Sequence, residues 1–133
     1  MKFLFLAPAP DYPEDWSWAF EPQAKPLVDR GATVETQQWS EARDLGDYDL
    51  ILPLICWGYH LRFGEWLSFL DRLEKDQLPV INPPRLLRWN SDKAYLAELI
   101  EQGVPTVPSV AVDACTDADL QSARARFGTG EIV

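Results

Sequence analysis

Short apolar runs alternate with amphipathic stretches along the 133-residue chain. Apolar runs of four to eight residues between turn-forming residues are typical of strands, whereas apolar residues three and four positions apart are typical of helices. Leu50–Cys56 is apolar almost throughout, which suits a central strand covered on both faces. The pattern predicts strands at Lys2–Ala7, Ala32–Trp39, Leu50–Cys56, Pro79–Asn82 and Val107–Val112.

Amphipathic stretches follow most of these runs, and several carry a signal at one end. The first contains Pro22, which fits a first turn, and Pro26, which then removes an interior hydrogen bond and predicts a short or kinked helix. Glycine is a common residue after a helix, and Ser/Thr-x-x-acid is a common opening. The predicted helices are Trp16–Arg30, ended by Gly31; a stripe of Phe63, Trp66, Leu67, Leu70 and Leu73; a stripe of Leu96, Leu99 and Ile100, ended by Gly103; and Thr116 to about Phe127, opened by Thr116 with Asp119.

This alternation of strand and helix predicts an α/β fold with a mostly parallel sheet and helices on both faces. Ligands of such sheets bind beyond the carboxyl ends of the strands. Loops that qualify are "APAPDYPEDW", "WGYHLRFG" and "NPPRLLRWNSDK".

Composition narrows the function classes. The formal net charge is −9 and the sequence pI is about 4.4, so the surface repels phosphate backbones, and we expect neither nucleic acid nor an anionic membrane as a partner. No apolar run approaches the ~20 residues of a membrane span. Cys56 and Cys115 lie far apart in the chain, and we expect two reduced thiols in a cytoplasmic protein.

The segment "NSDK" raises a question of charge. If Asn90 or Ser91 caps the next helix, Lys93 lies in the first turn, where the helix dipole disfavours a cation. An ammonium at a helix start creates an anion site, to which Arg85 and Arg88 would add. The other interpretation is a solvated Lys93 paired with Asp92, and spacing alone favours it.

Aromatic residues follow the predicted central strand in "WGYH". They either line a ligand pocket or cover the edge of the core, and the sequence favours neither. His60, the single histidine, is far from any second metal ligand, so we expect no metal site. An ordinary histidine is favoured over a general base. The chain has no glycine-rich phosphate loop of known pattern, and we assign no catalytic residue.

Two quoted segments do resemble a known family. "NPPRLLRWNSDKAYLAELIEQGVPTVPS" resembles the end of the N-terminal domain of ATP-grasp ligases, where an asparagine-proline stretch leads to a lysine, a leucine-rich helix and a G-x-P-x-x-P pattern. Together with "LPLICWGYH" it is most similar to the bacterial glutathione synthetase-like branch, which includes the ligase that closes the cycloserine ring. The resemblance is best over Leu50 to Val112.

The resemblance implies a Rossmann-like, three-layer pre-ATP-grasp domain at residues 1–112, with residues 113–133 beginning the ATP-grasp domain. It implies that Lys93 contacts ATP phosphates as the first of two lysines. The second lysine and the magnesium-binding acids belong to a segment after Glu131–Val133, which looks like the opening of a strand. We therefore expect a fragment that binds no ATP tightly. The substrate-binding residues that it implies are Trp57, Tyr59, His60, Arg88 and Asn90.

The function implied is the N-terminal, substrate-side domain of an ATP- and magnesium-dependent carboxylate–amine ligase, inactive as this fragment. Small carboxylate and amine substrates would be its partners. The sequence leaves open whether the protein forms a homodimer. Two other classes also stay open: a stand-alone small-molecule binding module, and a protein-interaction or dimerisation domain without catalysis.

Overall fold

The computed structural model describes residues 1–128, so the predicted strand opening at Glu131–Val133 lies outside the described residues. Two compact units divide the chain, Met1–Ser91 and Asp92–Val133. The predicted domain boundary at residue 112 falls inside the second unit and stays a prediction.

The first unit is built on a parallel sheet of three strands in the order β2-β1-β3. Its strands are β1 (Lys2–Ala7), β2 (Thr33–Gln38) and β3 (Leu50–Leu52), and its helices are α1 (Ser17–Val28), α2 (Phe63–Lys75) and α3 (Pro84–Ser91). Short 3₁₀ turns lie at Leu45–Asp47 and Tyr59–Arg62. The α/β class and the parallel sheet are confirmed.

Successive side chains of β1 point to opposite faces of the sheet, and a helix covers each face. Phe3 and Phe5 pack with Phe20 and Leu27 of α1. Leu4 and Leu6 are fully buried in a larger cluster, which includes Trp39 and the α2 residues Trp66, Phe69, Leu70 and Leu73. These layers form because β1 is apolar on both sides.

The two prolines do not shorten α1, which runs for 12 residues with Pro22 and Pro26 inside it. Each proline lacks the N–H that would bond one turn back. Burial of the helix against Phe3 and Phe5 offsets these missing bonds.

Two predicted strands differ in the structure. β3 ends at Leu52, because Pro53 has no N–H for a ladder. Ile55 and Cys56 remain buried beyond the end of β3. The apolar run Leu50–Cys56 therefore indicated burial and not strand pairing. Val80 forms a single parallel bridge with Ile51, where a strand at Pro79–Asn82 was predicted.

A helix occupies most of the loop that was predicted to follow Pro79–Asn82. Pro84 is the first residue of α3, a position where a missing N–H costs nothing. Asn90 and Ser91 therefore end α3, and the prediction that one of them caps the next helix was wrong. Ser91 Oγ instead accepts from Trp66 Nε1 at 2.7 Å and donates to Leu87 O at 2.6 Å, which fastens α3 to α2.

The described part of the second unit contains α4 (Tyr95–Glu101) and α5 (Asp117–Phe127). Gly103 follows α4 with φ of 72°, as its predicted role requires. The capping box of α5 is also confirmed, because Thr116 Oγ1 accepts from Asp119 N at 3.3 Å and Asp119 Oδ2 accepts from Thr116 N at 2.9 Å.

Two other predictions for the second unit were wrong. Val107–Val112 forms no strand, and its three valines are 45–64% exposed. Pro108 removes a donor there, and the described residues of this unit contain no strand with which it could pair. The predicted inner stripe of α4 is not buried either, since Ile100 is 43% exposed.

Candidate substrate site at the carboxyl edge of the sheet

The loops that leave the carboxyl ends of β1 and β3 meet through aromatic side chains. The Trp57 ring lies 5.4 Å from that of Trp18 and 6.3 Å from that of Tyr12, between ring centroids. Trp18, at the start of α1, is 66% exposed. We call Tyr12, Trp18 and Trp57 the aromatic wall. It offers a flat, amphipathic surface where ligands of parallel sheets bind.

A glycine sets the distance between the two loops. Gly58 has φ of 77°, and a Cβ at this position would lie 2.7 Å from Tyr12 Cδ2. The Tyr12 ring therefore packs directly on the backbone of Gly58, in space that the side chain of any other residue would occupy. The same positive φ turns the chain so that Trp57 and Tyr59 contact different partners.

Local hydrogen bonds occupy the acids of the loop after β1. Asp15 accepts from Ser17 N at 3.1 Å and from Ser17 Oγ at 2.9 Å, and these bonds lower the pKa of Asp15. Tyr12 Oη donates to Glu14 at 3.5 Å, while desolvation raises the pKa of Tyr12. Within residues 1–128 we find no group of three or more His, Cys, Asp or Glu side chains that could hold a metal ion.

Arg62 connects α2 to the loop after β1, which carries Tyr12 and which we call the wall loop. Its guanidinium lies 2.8 Å from Glu65 and 3.7 Å from Asp11. All three side chains are at least partly exposed, so each pair contributes little to stability. They link the loop after β1 to the start of α2.

Tyr59 and His60, both predicted to border a substrate, are placed differently from Trp57. The Tyr59 ring stacks on Trp66 at 5.2 Å, and its hydroxyl donates to Ser91 O at 3.5 Å. His60 is exposed, with its ring edge against Tyr59. Tyr59 therefore supports the packing of α2 and α3, and the structure does not bring it to the wall.

Arg88 and Asn90 lie on α3. Arg88 Nη2 donates to Leu67 O at 3.3 Å and forms an ion pair with Asp71, so its guanidinium is committed to α2. Asn90 is exposed at the end of the helix. Their roles in substrate binding stay predictions.

Lys93 belongs to the second unit and lies in the turn before α4, where the sequence predicted the first helical turn. Asp92 Oδ1 accepts from Ala94 N at 2.9 Å and thereby orders this turn. Lys93 Nζ lies 5.5 Å from the centroid of the Tyr95 ring. The prediction that its ammonium serves an anion stays open.

Both cysteines are free, as expected. Cys56 is buried and its Sγ donates to Leu6 O at 3.4 Å. Burial strongly raises the pKa of Cys56, so this thiol is not a nucleophile at neutral pH. Residues 1–128 also contain no helix long and apolar enough to cross a membrane.

Sequence reasoning missed Tyr12 and Trp18 as site residues. Tyr12 lies in a loop that was singled out, so the position of that loop after β1 was an available signal. Trp18 lies inside a predicted helix, and helical spacing alone does not separate an exposed aromatic residue from a buried one.

Residues 5–82 match the family model of the N-terminal domain of the D-cycloserine synthetase DcsG. This segment covers more than half of the chain, including the second half of β1, all of β2 and β3, and the aromatic wall. The chain belongs to this family.

A curated relative and a solved structure agree with the assignment. The chain is 33% identical over 89 residues to the cycloserine biosynthesis protein DcsG of Streptomyces lavendulae, which covers 66% of this chain and 29% of the relative. It is also similar to the crystal structure of D-cycloserine synthetase DcsG, with a TM-score of 0.73 and 25% identity over 96% of this chain and 43% of that one. The matched segment thus spans 29% of the length of the curated relative, and the chain spans 43% of the one in the crystal structure.

Proposed function

We propose that this chain is the substrate-side domain of an ATP-dependent carboxylate–amine ligase. The observation that carries the proposal is the aromatic wall, which lies inside the family segment and at the carboxyl edge of the parallel sheet. Trp57 is the residue that we assign to the substrate contact. His60, Arg88 and Asn90 are secondary candidates, and Tyr59 would act through packing.

The proposed reaction has two steps. A substrate carboxylate attacks the γ-phosphorus of ATP, which gives an acyl phosphate and ADP. The amine then attacks the acyl carbon, phosphate leaves, and the amine nitrogen loses a proton. Positioning and electrostatic stabilisation supply most of the catalysis in phosphoryl transfer, so we assign no general base to this chain.

Lys93 is the residue of this chain that we assign to ATP, as a contact to its phosphates. Its exposed ammonium and the ordered turn before α4 support that role. We assign no residue here to magnesium, since the described residues contain no suitable cluster of acids. The proposal also places the protein in the cytoplasm, where free thiols persist, and leaves nucleic acid and membranes outside its partners.

The first experiment titrates ATP with magnesium chloride into the 133-residue chain by calorimetry. We expect no low-micromolar binding, because a single phosphate-contacting lysine does not hold a nucleotide tightly. Low-micromolar affinity of the isolated chain would contradict the proposal, which places most of the ATP site outside this chain.

The second experiment uses the complete gene product that contains this chain. Lys93→Ala should lower kcat/KM for ATP about 10- to 100-fold, the range for loss of a hydrogen bond to a charged group. Lys75→Ala, an exposed cation at the end of α2, is the matched control. Formation of ADP and phosphate supports the acyl phosphate, whereas AMP and pyrophosphate would replace it with an adenylate.

A small-molecule binding module without catalysis is the second candidate. The complete aromatic wall within one unit favours it, because binding there needs no residue from another segment. Trp57→Ala separates the two candidates in the complete gene product. A ligase loses kcat/KM for the acceptor substrate, whereas a binding module shows no ATP turnover before or after the change.

A further inference from the structure

A concave surface lies on the α2 side of the sheet and shares no residue with the aromatic wall. Its volume is about 340 Å³. Trp39 and Ser40, directly after β2, line one side, and α2 lines the other. We call this cavity the α2 groove; its side chains from α2 are Glu65, Ser68, Phe69 and Arg72.

Two adjacent residues of the groove carry buried donors without a recorded partner. Trp39 Nε1 and Ser40 Oγ are covered from solvent, and neither makes a hydrogen bond within the described residues. Trp39 is only 1% exposed. Buried polar groups are nearly always paired, so two unpaired donors in one cavity call for an acceptor that the described residues do not supply.

The charge of the groove indicates what kind of acceptor fits. Arg72 donates one N–H to Ala42 O at 2.7 Å and lies over the Phe69 ring at 5.1 Å, and within residues 1–128 no carboxylate is recorded as its ion pair. A guanidinium has five N–H donors, so four stay available. Glu65, the acid of the groove, is already bound by Arg62 at 2.8 Å. The groove therefore combines two neutral donors and the Arg72 guanidinium with one carboxylate, Glu65, which is held by Arg62.

We propose that the α2 groove binds the carboxylate of a small free organic acid. Arg72 supplies the charge, and Trp39 Nε1 and Ser40 Oγ supply the neutral donors. One unpaired cation balances one carboxylate, and the guanidinium fork matches its two oxygens. A phosphate dianion would keep excess negative charge there.

Because both donor atoms are covered, a rotation of Ser40 and a small displacement of the Trp39 ring accompany binding. This movement gives the site a spectroscopic signature.

Nuclear magnetic resonance of the 133-residue chain, labelled with ¹⁵N at its six tryptophans, tests the proposal with sodium acetate as the probe. We expect a saturable shift of the Trp39 indole N–H in the millimolar range. Trp16 is the internal reference, because its ring packs against Phe20 of α1, outside both the groove and the aromatic wall. Sodium chloride at equal ionic strength controls for screening.

Variants assign the shift to the groove. Arg72→Met should weaken acetate binding at least tenfold, whereas Lys75→Met, which removes a charge from the same helix outside the groove, should leave it unchanged. If loss of the Arg72–Ala42 bond destabilises the chain, Ser40→Ala is a second variant that leaves this bond intact. It should also weaken binding severalfold.

Several results would overturn the proposal. One is a Trp39 signal that moves no more than the Trp16 signal, which would leave ordered water as the partner of the two donors. Another is an equal response to chloride, or full binding in Arg72→Met. Tighter binding of inorganic phosphate than of acetate would overturn the carboxylate assignment.

Discussion

Replacement of Gly58 by alanine tests whether the two wall loops are held together by the close contact of Tyr12 with the backbone. Gly58 has φ of 77°, and Gly31 has φ of 81°. Both substitutions therefore place alanine in the left-handed region. They differ in one respect, since a Cβ at Gly58 would lie 2.7 Å from Tyr12 Cδ2, whereas a Cβ at Gly31 meets nothing within 4 Å.

The expected costs follow from this difference. The left-handed conformation costs alanine ~1–2 kcal/mol. Alanine also restricts the unfolded chain, which offsets ~0.4–1 kcal/mol of this cost, so Gly31→Ala should destabilise the chain by about 1 kcal/mol. Gly58→Ala carries the same term and must also displace the Tyr12 ring, an overpacking cost of ~1–3 kcal/mol. The total for Gly58→Ala is therefore about 2–4 kcal/mol.

Urea denaturation followed by tryptophan fluorescence measures both variants, and the two glycines belong to the same compact unit. Displacement of Tyr12 should also alter the near-ultraviolet circular dichroism of Trp57 in Gly58→Ala and leave it unchanged in Gly31→Ala. Equal free energies of unfolding, within about 0.5 kcal/mol, would refute the reasoning, because the Tyr12 ring would then move at no cost. The wall would in that case not be preformed.

Further predictions concern hydrogen bonds in each unit. Tyr48→Phe should destabilise the chain by ~1–2 kcal/mol in urea denaturation, because Tyr48 Oη donates to Glu35 at 2.7 Å and accepts from Gln37 Nε2 at 2.9 Å. The Tyr48 bond, followed by Lys2, lowers the pKa of Glu35 in the folded chain, so this stabilisation is present above the unfolded pKa and is lost as the pH falls through the folded value. The difference between Tyr48→Phe and wild type should therefore shrink in acid, and a constant difference would contradict it. Thr116→Ala should remove the capping box of α5 and cost ~1 kcal/mol, with a loss of helical circular dichroism, whereas Ser109→Ala, outside the helix, is the control. Lys93→Ala should leave the stability of the isolated chain unchanged, as urea denaturation can show.

The local sequence pattern correctly predicted those elements whose own side chains contact the core. β1 has the predicted bounds because its apolar side chains alternate between two covered faces. The alternation at Val107–Val112 gave the same signal and no strand, because a strand also needs a partner for its backbone, which local sequence does not specify. Pro84 opened a helix in a segment interpreted as a loop, since proline is compatible with both.

The site was harder to predict, because neighbours in sequence separate in space. Trp57 and Tyr59 are two positions apart, and the sequence could assign them only as a pair. The positive φ of Gly58 sends Trp57 to Trp18 and Tyr59 to Trp66. A single backbone angle thus separates the two aromatic side chains, and only the surrounding packing fixes that angle.

α2 and the residue before it contact both the groove and the loop that carries Tyr12, and this explains how a small domain keeps two surfaces apart. Leu70 and Leu73 of α2 are fully buried, while Gly64, Ser68 and Arg72 recur every four residues along the edge that lines the groove. Arg62, directly before α2, reaches Asp11 in the wall loop. Such an exposed ion pair is worth at most ~1 kcal/mol, whereas burying a leucine side chain is worth ~1.5–3 kcal/mol. The core, and not the surface charge, therefore fixes where each surface lies.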